Sequence, residues 1–137
     1  MTKDLPSRAQ TVIIGGGIVG CSVAYHLTKL GWSDVLLLER AQLTSGTTWH
    51  AAGLIGQLRA TENLTRLAKY SAELYAGLEA ETGQATGFRQ RGSLGLARTR
   101  ERLVELKRAA SMGRTFGLEV EELSPAEAKA RHPLIEV

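Results

Sequence analysis

Cysteine is nearly missing from this 137-residue sequence: Cys21 stands alone. A single thiol excludes an internal disulfide and a cysteine-rich metal centre, and it fits a reducing compartment. Aromatic residues are scarce too, with two Trp, three Tyr and two Phe, too few for a base-stacking platform. Only 3 prolines occur, and the 15 glycines follow no period, which excludes a collagen-like or low-complexity chain. No apolar run approaches the ~20 residues that span a bilayer. The opening Met1–Gln10 stretch carries Lys3, Asp4 and Arg8 without an apolar run, so it does not read as a secretory signal. Asp4 and a single serine make it a poor mitochondrial presequence. Seventeen Lys+Arg against fourteen Asp+Glu leave a net charge of +3, but the charges are interspersed and argue only weakly for nucleic acid. What remains is an ordinary globular composition, 43% hydrophobic and 23% charged. The expected setting is aqueous, cytoplasmic or, in a eukaryote, the mitochondrial matrix, with a small molecule as partner and no nucleic acid.

The first informative segment is Thr11-Val-Ile-Ile14, a short β-branched run stopped by Gly15-Gly16-Gly17. It reads as a buried strand. From Ile18 the pattern turns helical, with Ile18, Cys21, Ala24 and Leu27 or Thr28 on one face and Gly31 suited to the left-handed C′ position. A second buried strand, Asp34 to Leu38, ends at Glu39. Strand, glycine turn, helix and strand make a βαβ unit, parallel and right-handed. Ala41 to Gly56 is a loop of small residues in which Trp49 and His50 are the only large rings; small side chains let backbone approach a ligand. An amphipathic helix follows over about 62–81, with Leu64, Leu67, Ala68, Ser71, Leu74, Tyr75 and Leu78 on one stripe and Gly83 at its end. Gly92–Ala97 reads as a strand with alternating leucines. A charged helix over about 99–116 is expected to bury Leu103, Leu106 and Ala110. Ser124-Pro-Ala-Glu127 is a capping box opening a short helix that Pro133 closes. Two parallel strands are few for a doubly wound sheet, so residues 1–137 read as the N-terminal part of a larger protein.

Gly15-x-Gly17-x-x-Gly20 falls where phosphate chemistry needs it, after a strand and opening a helix. Gly15 permits the turn, Gly17 omits a side chain that would block a pyrophosphate, and Gly20 lets helix pack on strand. The helix N-terminus then serves as an anion site. Glu39, nineteen residues past Gly20, is placed to accept hydrogen bonds from a ribose diol and to repel a 2′-phosphate. The motif predicts a dinucleotide, argues against NADP, and leaves NAD and FAD open. A lone histidine such as His50 is most often a packing residue. The loop that carries it, however, leaves the carboxyl edge of the second strand, where open α/β sheets bind ligands, and a neutral imidazole is a nucleophile near its own pKa.

Ile13–Gly20, Leu37-Leu-Glu-Arg40 and Leu43-Thr-Ser-Gly-Thr-Thr-Trp-His-Ala-Ala-Gly-Leu54 together resemble the sarcosine and dimethylglycine dehydrogenase family, within the D-amino-acid-oxidase-like flavoproteins. The likeness continues through Glu79–Gly83, Gly92-Ser93 and Leu123–Glu127 to His132-Pro-Leu134. The resemblance implies a Rossmann-like FAD-binding α/β fold, of which residues 1–137 would be an incomplete N-terminal portion. Substrate and folate-binding domains would then lie downstream. It implies FAD bonded covalently to His50. Gly15, Gly17, Ile18, Val19 and Gly20 would lie at the pyrophosphate, and Glu39 and Arg40 at the adenosine ribose. The segment Gly46, Thr47, Thr48, Trp49, Ala51, Ala52, Gly53 and Leu54 would wrap the flavin end, with the two threonines offering hydroxyls to ribityl or phosphate oxygens. The implied reaction is hydride transfer from an N-methyl amino acid to flavin, with the one-carbon unit leaving as formaldehyde or captured by tetrahydrofolate, and an electron-transferring flavoprotein among the acceptors. Arg59, the first arginine after the loop, is a candidate for the substrate carboxylate. One relative of this family is a regulatory subunit of a phosphatase, which leaves a non-catalytic flavoprotein as the alternative, along with other amine or imino-acid oxidases of the superfamily.

Remaining polar candidates read as structural. Cys21 falls on the packing face of its helix, His26 off it, and His132 precedes a proline. Arg98, Arg100, Arg102, Lys107 and Arg108 alternate with Glu101 and Glu105 at helical pair spacing, a solvated face laced with ion pairs.

Overall fold

The computed structural model describes residues 5–136, so Lys3 and Asp4 of the opening stretch lie outside it. The chain divides into two compact units, Met1–Leu54 and Ile55–Val137. The first is a βαβ unit: β1 (Thr11–Ile14), α1 (Ile18–Lys29) and β2 (Val35–Leu38). The strands are parallel, with Thr11 opposite Val35 and Ile14 opposite Leu38. Gly15 N–H donates to the Leu38 carbonyl at 2.8 Å and carries the ladder one residue into the glycine turn. Helix α1 ends in a Schellman motif. Gly31, at φ +88°, donates to the Thr28 carbonyl, and Trp32 N–H to that of Leu27, both at 3.0 Å.

Burial in this unit differs from the expectation of fully buried strands. Ile13 is half-buried, but Val12 and Ile14 are exposed, Ile14 at 86%. One helix covers one face of a two-stranded sheet, and among the described residues of the unit nothing covers the other. On α1, Cys21, Ala24 and Leu27 are half-buried as expected, whereas Ile18 and Thr28 are exposed at the two ends of the stripe.

The second unit holds α2 (Glu62–Thr82), α3 (Arg100–Thr115) and α4 (Pro125–Arg131). Their ends follow local chemistry. Thr61 and Thr99 cap α2 and α3 through their hydroxyls, and Gly83 closes α2 at φ +73°. The Ser124–Glu127 capping box forms with Pro125 at the first turn, and its hydrogen bonds from the Ser124 hydroxyl and backbone N–H lower the Glu127 carboxyl below its ordinary range. The buried hydrophobic side chains are small, Ala72, Ala110 and Ala128, joined by Thr65. Three expectations are corrected here. Leu64 and Leu67 of the α2 stripe are exposed, because Thr65 and Ala72 are the residues turned inward. Leu103 is exposed at 46%; the covered part of α3 starts one turn later, at Leu106, and continues through Ala110 and Gly113. The Gly92–Ala97 stretch forms no strand, because among the described residues no second chain segment pairs with it. On the charged face, Arg102 and Glu105 pair at 2.6 Å. Among the described residues no helix is long and apolar enough to cross a membrane.

Candidate functional site: the glycine turn and the His50 loop

The turn between β1 and α1 is dictated by three glycines with different reasons. Gly15 adopts φ +106°, a region L side chains avoid. At Gly20 a Cβ would overlap the Gly15 carbonyl oxygen and sit 3.3 Å from Ile13 Cγ2, so only glycine lets α1 approach the strand. At Gly17 a Cβ would meet the Thr48 hydroxyl at 3.1 Å. Gly16, the motif position treated as free in the sequence, is also constrained. A Cβ there would press on Leu43 Cδ2 at 2.5 Å and Glu39 Cβ at 3.0 Å. The run of three glycines was its only signal.

The segment after β2 folds back onto this turn through three hydrogen-bonded links. Glu39 accepts the Gly16 N–H at 2.7 Å on one oxygen and the Ala41 N–H at 2.9 Å on the other. Those two amides, Gly16 first, hold its carboxyl below the ordinary value of 4.5. Each oxygen keeps a further lone pair for a ribose hydroxyl. Next, Thr44, at φ +65° and therefore strained for a residue with a Cβ, donates its N–H to the Gly16 carbonyl at 2.9 Å. Then the Thr48 hydroxyl accepts the Ile18 N–H at 2.9 Å. Sequence reasoning missed all three links; in the third, Thr48 accepts from the helix and keeps its own hydroxyl hydrogen to donate.

Thr47–His50 is one turn of 3-10 helix with Gly46 at its N-cap. The loop's small residues give the sequence no sign of this turn. His50 Nδ1 lies 3.0 Å from the Gly46 carbonyl. A carbonyl only accepts, so Nδ1 carries a proton, and in the neutral ring the lone pair is on Nε2. The ring is exposed, as are Thr47 and Trp49, while Thr48 is half-buried. Arg40, Ala51, Ala52, Gly53 and Leu54 are exposed. The first unit therefore brings together Gly15, Gly17, Ile18, Val19, Gly20, Glu39, Thr48 and His50. Of the other polar residues weighed, Cys21 donates its thiol to the Gly16 carbonyl at 3.5 Å, and His26 Nδ1 lies 2.7 Å from the Ser22 carbonyl.

Arg59 belongs to the second unit. Its backbone is gripped by Thr65, whose side chain is wholly buried: the hydroxyl accepts the Arg59 N–H at 3.1 Å and lies 3.3 Å from its carbonyl. Arg59, Leu64, Leu67, Ala68 and Ser71 line a shallow recess of about 310 Å³.

The site suits a dinucleotide by its own geometry. The glycine cradle leaves backbone where a Cβ would intrude, and α1 has no acidic residue in its first turn to repel an anion. Residues 10–137 match the family described as DAO, FAD dependent oxidoreductase. The chain belongs to this FAD-dependent oxidoreductase family. Human mitochondrial sarcosine dehydrogenase is 49% identical over 137 residues, 99% of this chain and 15% of that protein. The mouse mitochondrial pyruvate dehydrogenase phosphatase regulatory subunit is 46% identical over 97% of this chain, again 15% of its own length. The chain thus spans about 15% of the length of these curated relatives. Among solved structures, L-proline dehydrogenase from P. horikoshii superposes with a TM-score of 0.87 at 34% identity, over 96% of this chain and 34% of that one.

Proposed function

We propose that these residues form the FAD-holding part of an oxidoreductase that oxidises an N-methyl amino acid, sarcosine or dimethylglycine, with the flavin bonded to His50. The observation that carries the reading is the His50 turn, clasped to the N-terminus of α1 with Nδ1–H committed to Gly46 and Nε2 left as the nucleophile. The 49% identity to sarcosine dehydrogenase supports the substrate class. When bound, FAD supplies the two-electron acceptor for a hydride from the substrate's methyl carbon. The chain's own residues bind and orient. Gly15, Gly17 and Gly20 admit the pyrophosphate to the α1 N-terminus beside Ile18 and Val19, and Glu39 with Arg40 takes the adenosine ribose. The segment from Gly46 to Leu54 lines the flavin end. Arg59, whose backbone N–H is held by Thr65 and which lines a recess with Leu64 and Leu67, would offer a guanidinium to the substrate carboxylate. In the whole protein the one-carbon unit leaves as formaldehyde or passes to tetrahydrofolate, and an electron-transferring flavoprotein reoxidises the cofactor.

A second reading is favoured by the 46% identity to a phosphatase regulatory subunit: the same cradle with no turnover. Anaerobic addition of sarcosine or dimethylglycine to the full-length flavoprotein separates the two. Bleaching of the yellow absorption is expected. A stable yellow spectrum with both amines would instead support the regulatory reading.

A further inference from the structure

We infer that Thr48 is the positioning residue for the flavin bond at His50, an inference that rests on the reading of His50 given above. Thr48 and His50 share one turn of 3-10 helix. Within it, Trp49 N–H donates to Gly46 at 3.1 Å and Ala51 N–H to Thr48 at 3.2 Å. The imidazole is fixed to the same Gly46 carbonyl through Nδ1. Ring and turn therefore move together. Of the turn's four side chains, Thr48 is the half-buried one, and the turn's own hydrogen bond to the α1 cradle is the one its hydroxyl accepts from Ile18, thirty residues earlier. Gly17 supplies the space, because a Cβ there would stand 3.1 Å from that hydroxyl oxygen.

Thr48 thus has a role beyond lining the flavin end. An oxygen that takes its hydrogen bond from the helix sets where His50 stands relative to whatever the α1 N-terminus grips. The bond joins Nε2 to the flavin 8α carbon. In forming it, that carbon would give up one hydrogen as a proton and pass the C–H electron pair into the ring system; dioxygen would take the pair and two protons to leave as hydrogen peroxide, the second proton coming from Nδ1 once Nε2 is alkylated. A unimolecular step of this kind is sensitive to about 1 Å of misplacement, on the order of 100-fold in rate. A residue that merely bound phosphate would affect affinity instead.

The test uses the full-length apoprotein, reconstituted with saturating FAD, with acid-stable flavin followed over time. Thr48→Val is expected to slow covalent attachment by roughly 100-fold, and Thr48→Ser to restore it to within about threefold. Thr48→Ala, which removes the hydroxyl without adding bulk, is expected to behave like the valine variant and covers the case in which valine fails to fold. In a His50→Ala background, where all flavin is dissociable, Thr48→Val is expected to raise the FAD Kd by no more than about tenfold, well short of the loss in attachment rate, because Thr48 is one of several residues lining the flavin end. Two results overturn the inference alone: wild-type attachment rates without the hydroxyl, or a loss of affinity as large as the loss of rate. Wild-type protein that binds FAD but forms no acid-stable flavin overturns the His50 reading and this inference with it.

Discussion

Replacing Gly20 by alanine places a methyl group into the Gly15 carbonyl, the backbone atom that shapes the phosphate turn. The clash is with backbone, 3.1 Å from the carbonyl carbon and inside contact with its oxygen, and Ile13 Cγ2 closes the far side at 3.3 Å. No rotamer change relieves it. The turn and α1 must separate by on the order of 1 Å to restore ordinary carbon contact. Overpacking of this kind costs about 1–3 kcal/mol, and with backbone as the neighbour the upper end applies. If binding requires the closed turn, about 3 kcal/mol becomes roughly a 100-fold rise in Kd. The assay is FAD titration by fluorescence quenching of the full-length protein in a His50→Ala background, so that binding is reversible. Gly15→Ala is the control for strain without overlap: its φ is +106°, but no atom lies within 4 Å of the added Cβ. Left-handed strain of about 1–2 kcal/mol predicts roughly a tenfold effect there. A Gly20→Ala variant binding FAD as tightly as Gly15→Ala would refute the claim that helix–strand closure shapes the site.

Glu39→Gln tests the first clasp. The native carboxyl is held low by the Gly16 and Ala41 amides, so its contribution to stability is complete above 4.5, the ordinary value, and is lost as pH falls through the lowered folded one. The melting-temperature difference between wild type and Glu39→Gln is therefore expected to stay constant above pH 4.5 and to shrink below it; a difference that widens on acidification contradicts the bond pattern. Thr65→Val strands the Arg59 N–H inside the second unit, at a cost of about 1–3 kcal/mol, so amide exchange over residues 57–66 should accelerate by roughly 10–100-fold. Thr65→Ser, which keeps the hydroxyl, should exchange close to wild type, and equal protection in all three proteins would show that Thr65 does not hold Arg59.

The elements were legible wherever a backbone requirement writes itself into residue type. Ile14 followed by three glycines marks the end of β1, and Gly31 and Gly83 mark helix ends through positive φ. Ser124 and Glu127 announce the α4 cap three residues apart. The parallel pairing of β1 with β2 followed from the same punctuation. The clasp was not legible, because two of its three links are side-chain-to-backbone bonds between residues 23 and 30 positions apart, Gly16 with Glu39 and Ile18 with Thr48, and the third, Thr44 N–H to the Gly16 carbonyl, joins bare backbone. Threonine in a loop carries no mark of which amide it will accept. Burial was misjudged for a related reason. Periodicity names the face of α3 that carries Leu103 but not how far along it other chain extends. The leucines of Gly92–Ala97 alternate like a strand, yet a strand also needs a partner, and alternation says nothing about that.

The flavin–His50 bond is tested most directly by peptide mapping of the full-length protein purified with its flavin and denatured in acid. The account predicts that the peptide containing Thr47-Thr48-Trp49-His50 carries the mass of one FAD, joined through Nε2 of His50. Recovery of that peptide unmodified, with all the flavin free in the acid supernatant, would contradict it.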